Sequence, residues 1–310
     1  MGLNGRIHEV LDAGLNGRRP RESDYSQSIA FGEAGNQRVY DALNGGSPCL
    51  VARLGASELR AVTYFTRWSL LRRMNVPYPR SVRTVMRQNA GFFPATGAGL
   101  DRFAGTFLDA ISQTDVMAVW FNRNEHRIVR SYCPSASLIE LGCLESMRFE
   151  HPWTAALSAK TVLVIHPFAR SIESQYRAHR RELFSNPDVL PEFELKTMAS
   201  VQSIAGNTGG FGSWFDALDD MRDRIGREQF DIAIVGAGAY GLPLAAFVKS
   251  IGKQAVHMGG ATQVLFGITG RRWEEEYRGS IGAMINEHWV RPLPEETPER
   301  AATVEGGSYW

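Results

Sequence analysis

Arg53, Gly55, Ser57 and Glu58 fall within the six residues RLGASE, directly after the apolar run PCLVA. A guanidinium at a strand end grips a diphosphate through its planar fork, and a nearby carboxylate can ligate a divalent metal or accept a proton. The plain structural alternative is a helix start in which Ser57 caps and Glu58 complements the dipole. His166, in VIHPFARS, stands where another apolar run gives way to a loop, with Arg170 and Ser171 following at the start of a helix. That pattern suits an anion site in which His166 is acid, base or hydrogen-bond donor, or else a histidine that only satisfies its neighbours.

The third chemical stretch is FDIAIVGAGAYGLPLAAFVKSIGKQAVHMGG, residues 230–260. Gly236, Gly238 and Gly241 keep the G-x-G-x-x-G spacing between a strand over Asp231–Val235 and a helix over Tyr240–Ile251, so the turn that includes Ala239 and Tyr240 can present amides to a phosphate. A nicotinamide dinucleotide would further want an acidic residue at the end of the next strand, to accept from the ribose hydroxyls. That strand ends in His257, Met258, Gly259 and Gly260, with no carboxylate. The glycines alternatively serve only tight packing of helix on strand. Beyond them, Gln263, Arg271, Arg272 and Trp273 offer amide, guanidinium and stacking contacts to a base or sugar.

These residues need a frame, and the pattern around them repeats. Strand-like runs at Pro48–Gly55, at Thr114–Phe121, up to Ile165 and at Asp231–Val235 alternate with helical segments. Leu100, Phe103, Phe107 and Ile111 share one helical face, as do Trp214, Phe215, Leu218, Met221 and Ile225, which leaves Asp219 and Asp220 in solvent. A helix is expected over residues 56–74, and SIES is expected to cap a helix from Ser171. Such alternation implies an α/β fold: a Rossmann-like, doubly wound, mostly parallel sheet with helices on both faces, binding ligands at the carboxyl ends of its strands.

Composition narrows the partners. With 34 basic and 33 acidic side chains in 310 residues the formal charge is +1, so no global field gathers nucleic acid. Cys49, Cys133 and Cys143 show no metal-site spacing and no disulfide framework, in keeping with a reducing cytoplasm. The N-terminal stretch lacks a signal-peptide core, Arg6 stands where a myristoylation signal wants Ser or Thr, and LNGR recurs at Leu3 and Leu15 without a longer period. No run approaches the length of a membrane span. No G-x-S-x-G elbow, H-E-x-x-H helix or Walker motif occurs, and the glutamates at 274–276 read as a solvated face.

VARLGASEL, NAGFFP, VIHPFARSIESQY, the stretch from Phe230 to Trp273 and the terminal SYW together resemble bacterial proteins with a GT-D-like domain, a glycosyltransferase fold found with surface-polysaccharide genes. The resemblance covers most of the chain from about Cys49. It implies an N-terminal helical or polar extension over residues 1–47 and a GT-D-like domain over 48–310. In better-known members the first strand ends R-F-G-D-G-E, an acidic pair linked to metal and sugar-nucleotide binding. Here Ala56 takes the place of the aspartate, and Glu58 remains.

The resemblance implies a cytoplasmic transferase that uses a nucleoside diphosphate sugar, with Mn or Mg at Glu58 as the metal in question, and a glycan or lipid-linked acceptor. Glu58 and His166 are then the candidate catalytic groups. Arg53, Gly55, Ser57, Arg170, Ser171, Gly236, Gly238, Ala239, Tyr240, Gly241, His257, Gly259, Gly260, Gln263 and Arg272 are the candidate donor contacts. A homodimer stays open. So do an NAD(P)-dependent oxidoreductase and a non-catalytic nucleotide-binding protein.

Overall fold

The computed structural model describes residues 18–67, 77–304 and 306–310. The expectations for residues 1–17, and for the helix beyond Arg67, lie outside the described residues. The strands are β1 (Ile29–Ala30), β2 (Leu50–Arg53), β3 (Val116–Val119), β4 (Ser137–Glu140), β5 (Thr161–His166), β6 (Glu194–Ala199), β7 (Ile232–Val235) and β8 (Gln254–His257). They form one eight-stranded sheet in the order β1-β4-β3-β2-β8-β7-β5-β6. Every adjacent pair is parallel. All four residues of β3, β7 and β8 are buried. Continuous burial is what a parallel strand covered on both faces requires, and it explains why β3 and β7 are solidly apolar rather than alternating, while β8 begins and ends in the buried polar residues Gln254 and His257.

The helices are α1 (Gly32–Asn44), α2 (Ala56–Arg67), α3 (Arg80–Gln88), α4 (Gly97–Ser112), α5 (Glu125–Tyr132), α6 (Ala169–His179), α7 (Trp214–Gly226), α8 (Gly241–Ser250) and two short turns, α9 (Thr262–Leu265) and α10 (Arg271–Glu275). One apolar core joins the sheet to α2, α3, α4, α5, α7 and α8; a second, on the other face, joins it to α1, α6, α9 and α10. Connections that step towards the β1 edge, such as β2 to β3 and β7 to β8, cross the first face. Those that step towards β6, such as β1 to β2 and β5 to β6, cross the second. The crossovers thus share a single hand, as the twist of parallel strands demands.

This winding sets up the site. The central strands β2, β8, β7 and β5 lie side by side. Their loops depart from the carboxyl ends alternately to the first, second, first and second face. Where neighbouring loops part, the sheet leaves crevices.

A boundary after residue 47 does not hold for residues 29–47. Ile29 and Ala30 pair with Leu138 and Ile139 at the sheet edge, and Val39 and Leu43 of α1 are fully buried. The Gln254 side chain donates to the carbonyls of Leu43 (2.9 Å) and Ser47 (3.1 Å), tying the end of α1 to β8. A helix was expected in this extension, but its polarity hid the two-residue strand and the burial of one face of α1. The five apolar residues expected on one face of α7 are all buried, while Asp219 and Asp220 pair with Arg222 and Arg224. All three cysteines are free and buried, and burial pushes their thiols up to about 11 or 12. No helix among the described residues is long and apolar enough to cross a membrane.

Candidate functional site

Two adjoining clefts open at the carboxyl ends of the central strands. The polar one, about 920 Å³ with its mouth, lies between the ends of β2 and β8 and is lined by Arg53, Gly55, Ser57, Glu58, Glu145 and Arg272 together with Asn89, Trp120, Gly260, Trp273 and Tyr309. The apolar one, about 600 Å³, lies between β5 and β7 and is lined by His166, Phe168, Ser203, Gly236, Gly238, Tyr240, Gln263, Tyr309 and Trp310. Ala90, Gly260 and Tyr309 line both.

The polar cleft is built as RLGASE suggests. Arg53 ends β2, and Glu58 lies in the first turn of α2, which begins at Ala56. The guanidinium of Arg53 sits 5.8 Å from the ring centre of Trp120. Its underside rests on Gly259, whose φ of +65° and missing Cβ let the two come together; any side chain there would overlap the guanidinium. Gly259 therefore seats Arg53 rather than a ligand. In the same way the Glu58 carboxylate folds over Gly55, where a Cβ would strike it.

Two features of this cleft, Glu145 and Tyr309, were not singled out from sequence, whereas Trp120 stands at the carboxyl end of the expected Thr114–Phe121 strand, where ligand contacts were expected. Glu145 follows β4, pairs with Arg148, and has its pKa raised by burial, partly offset by that arginine. Trp120 follows β3, and its amide donates to the buried Glu125 carboxylate (2.9 Å). Tyr309 folds in from the C-terminal segment, where its hydroxyl accepts from Arg272 (2.7 Å) beneath a guanidinium 4.9 Å from the ring. SYW offered an aromatic signal, but nothing local placed it beside Arg53.

In the apolar cleft His166 is 4% exposed. Its Nδ1 accepts from the Phe168 amide (3.0 Å), so the neutral ring carries its proton on Nε2. Burial takes its pKa down to about 3. A neutral ring with Nε2 protonated is a hydrogen-bond donor there. In this state it would serve a ligand by donating a hydrogen bond rather than as an acid or base.

The glycine-rich turn is divided in function. Gly236 has the Gly259 carbonyl, the His166 ring and the Thr262 hydroxyl all 2.6 Å from where a Cβ would stand, and Gly241 has His257 Nε2 at 2.5 Å. These two glycines serve packing. Gly238, with φ +53°, faces the cleft with only the Ala90 carbonyl within 4 Å of a Cβ position. Ala239 is 1% exposed and lines neither cleft. Tyr240 stacks on Trp214 at 4.8 Å, its hydroxyl bonded to Ser203 (2.8 Å). His257 is buried under Gly241, and burial followed by the Arg53 charge holds its pKa well below the usual value, so it is a packing residue and not a ligand contact. Gln263 spends its amide on the carbonyls of Ile268, Thr269 and Tyr309, bracing the wall.

Arg170 and Ser171 are likewise corrected. The helix is capped from Phe168, two residues earlier than expected at its start. The amides of Arg170 (2.8 Å) and Ser171 (3.2 Å) donate to the Glu296 carboxylate, the Ser171 hydroxyl donates to the same group, and the Arg170 guanidinium pairs with Glu295 (2.7 Å). The anion expected at this helix N-terminus is the chain's own carboxylate.

No family model matches the chain, and no curated protein matches it. Two solved structures align along nearly its whole length. One, a selenomethionine-substituted structure of a domain of unknown function 1792, is 11% identical with a TM-score of 0.45 and covers 94% of this chain and 96% of its own. The other, described as "the highly conserved domain of unknown function 1792 has a distinct glycosyltransferase fold", has the same identity (11%) and TM-score (0.45) and covers 92% of this chain and 96% of its own. No residue of this chain takes a role from that likeness.

As for a metal, the polar cleft offers Glu58 and Glu145 as hard oxygen donors. Among the described residues the one group of three potential ligands is His179, Glu182 and His288, at the far end of α6. A Mg or Mn ion in the cleft would thus need oxygens from the ligand itself, as those ions accept.

Proposed function

We propose that the protein is a glycosyltransferase whose polar cleft binds a nucleoside diphosphate sugar. The observation that carries this reading is the joining of Arg53, Arg272, Glu58 and Glu145 with Trp120 and Tyr309 in one cleft at the reversal between β2 and β8. Guanidinium groups neutralise a diphosphate, aromatic faces receive a base or sugar ring, and a carboxylate can take a proton from an attacking hydroxyl. A divalent metal, where bound, would share Glu58 or Glu145 with the diphosphate and add charge compensation there.

The chemistry asked of the residues is limited. The acceptor oxygen forms a bond to the anomeric carbon as its proton passes to Glu58 or Glu145. The bond from that carbon to the diphosphate oxygen breaks, and its electron pair leaves with the nucleoside diphosphate, whose growing charge Arg53 and Arg272 stabilise. Burial raises the pKa of Glu145 against the pull of Arg148, which favours its protonated form after such a transfer.

Isothermal titration with a panel of nucleoside diphosphate sugars, with and without Mn, tests the reading. Binding that is lost in Arg53→Ala supports it, and absence of binding by every member in both conditions overturns it. The dinucleotide alternative is disfavoured, because Gly236 and Gly241 are filled by packing and β8 ends in a buried histidine.

A further inference from the structure

A groove of about 2010 Å³, open to solvent, runs beside the apolar cleft and meets it at Ser203, which lines both. One wall is α3, in the sequence RSVRTVMRQ. Its Arg80, Arg83 and Arg87 are exposed and line the groove. Spaced i, i+3 and i+7, they fall on one helical face within about 10 Å of axial rise. None of the three makes an ion pair with a described residue, although Arg83 Nε donates to the Ala95 carbonyl (3.2 Å). Three guanidinium groups held on one face without counter-charge repel one another, and an anion between them removes that cost.

The facing wall supports the same reading independently. It is the loop SIAGNTGGFG, residues 203–212, in which Gly206, Gly209 and Gly210 have φ of +79°, +60° and +84°. Among the described residues the amides of Thr208 and Gly210 have no acceptor within the chain. A Cβ on Gly206 would lie 3.8 Å from Arg87 Nη2, so bare backbone and guanidinium meet at the groove floor. Of this loop Ser203, Gly206, Thr208 and Gly212 line the groove, and the unbonded Thr208 amide offers a backbone donor to an anion held by the arginines across it.

We propose that this groove binds the phosphate or diphosphate of the acceptor. That assignment rests on the transferase reading and adds to it the chemical class of the second substrate. Ser203 is a wall common to the groove and the apolar cleft, and Ala90, Gly260 and Tyr309 are common to that cleft and the one that holds Arg53, so the groove adjoins the proposed donor site.

The test is a set of titrations with inorganic pyrophosphate, glucose 1-phosphate and geranyl diphosphate, on wild type, an Arg83→Ala/Arg87→Ala double variant, its Lys/Lys counterpart and Arg53→Ala. Pyrophosphate affinity should fall at least roughly tenfold in the double Ala variant, recover in part with lysine, and survive Arg53→Ala. Tighter binding of geranyl diphosphate than of glucose 1-phosphate would mark a lipid-linked acceptor, and the reverse a soluble one. No pyrophosphate binding by wild type, or loss only in Arg53→Ala, overturns the groove assignment. UDP-sugar titrations on the same proteins separate the two ideas, because failure of the donor to bind leaves an Arg83- and Arg87-dependent anion site standing. Both arginines are exposed, and unchanged melting temperatures confirm that the variants fold.

Discussion

Glu58 is held by its neighbours more tightly than its short motif suggests. Gly55 gives its carboxylate room, and the first turn of α2 fixes its stem beside Arg53. A carboxylate so placed acts on the reacting centre more than on affinity. Glu58→Ala should lower kcat by about 100-fold while changing donor affinity less than about threefold. Steady-state kinetics with a direct binding titration read both numbers, and unimpaired turnover would remove Glu58 from the chemistry. Residue by residue, legibility followed locality. Arg53, Gly55, Ser57 and Glu58 could be read together because one turn contains them. Glu145 and Tyr309 could not, and Trp120 was legible only as a strand end, since each reaches the cleft from a different part of the chain. His257 and Ser171 carried the right residue type at a strand or helix end, but a glycine packed on one and Glu296 satisfied the other.

At the scale of elements, the loop from Trp120 to Asn124 and the start of α5 are organised by one buried carboxylate. Glu125 accepts from Tyr25 (2.7 Å), Trp120 (2.9 Å) and Asn122 (3.2 Å), yet burial still outweighs these bonds and raises its pKa to about 7. A raised acid favours folding most when it is protonated. Its contribution is therefore full below the ordinary value near 4.5 and is lost as pH rises towards about 7, a span worth roughly 3 kcal/mol. His166, depressed to about 3, acts oppositely, costing stability as pH falls below about 6.5. Glu125→Gln keeps an acceptor for the three donors but has no proton to lose. Its stability relative to wild type should therefore improve by roughly 2–3 kcal/mol between pH 5 and pH 8. Urea melts at the two pH values measure this, and an equal difference at both would show that Glu125 does not titrate in the fold. The elements themselves were largely visible in sequence: α8 at Gly241–Ser250 falls within the expected Tyr240–Ile251, and β7 at Ile232–Val235 within Asp231–Val235. The two-residue β1 was not, because so short a run has no period.

For the molecule as a whole, alternation of apolar runs and helices was enough to announce a parallel α/β sheet, whereas strand order depends on long-range pairing that no local pattern encodes. The pairing of β2 with β8 carries a kinetic consequence. Leu50 and Val51 sit beside Ala255 and Val256, roughly 200 positions along the chain. No hairpin shortens the search, and closing a loop of that length must precede any reward from the contact. The halves β2-β3-β4 and β5-β6-β7-β8 can each collapse on nearer partners first. The seam between them, where Arg53 comes to rest on Gly259, then closes late. On dilution from denaturant, far-UV circular dichroism should return well before donor binding, with a slow final phase that reports docking of the two halves. Simultaneous recovery of both signals would instead mean that the seam belongs to the folding nucleus. A cleft that straddles the last-formed joint would also be absent from any nascent chain released before β8 emerges from the ribosome, so partial products would fold in part and lack the donor site.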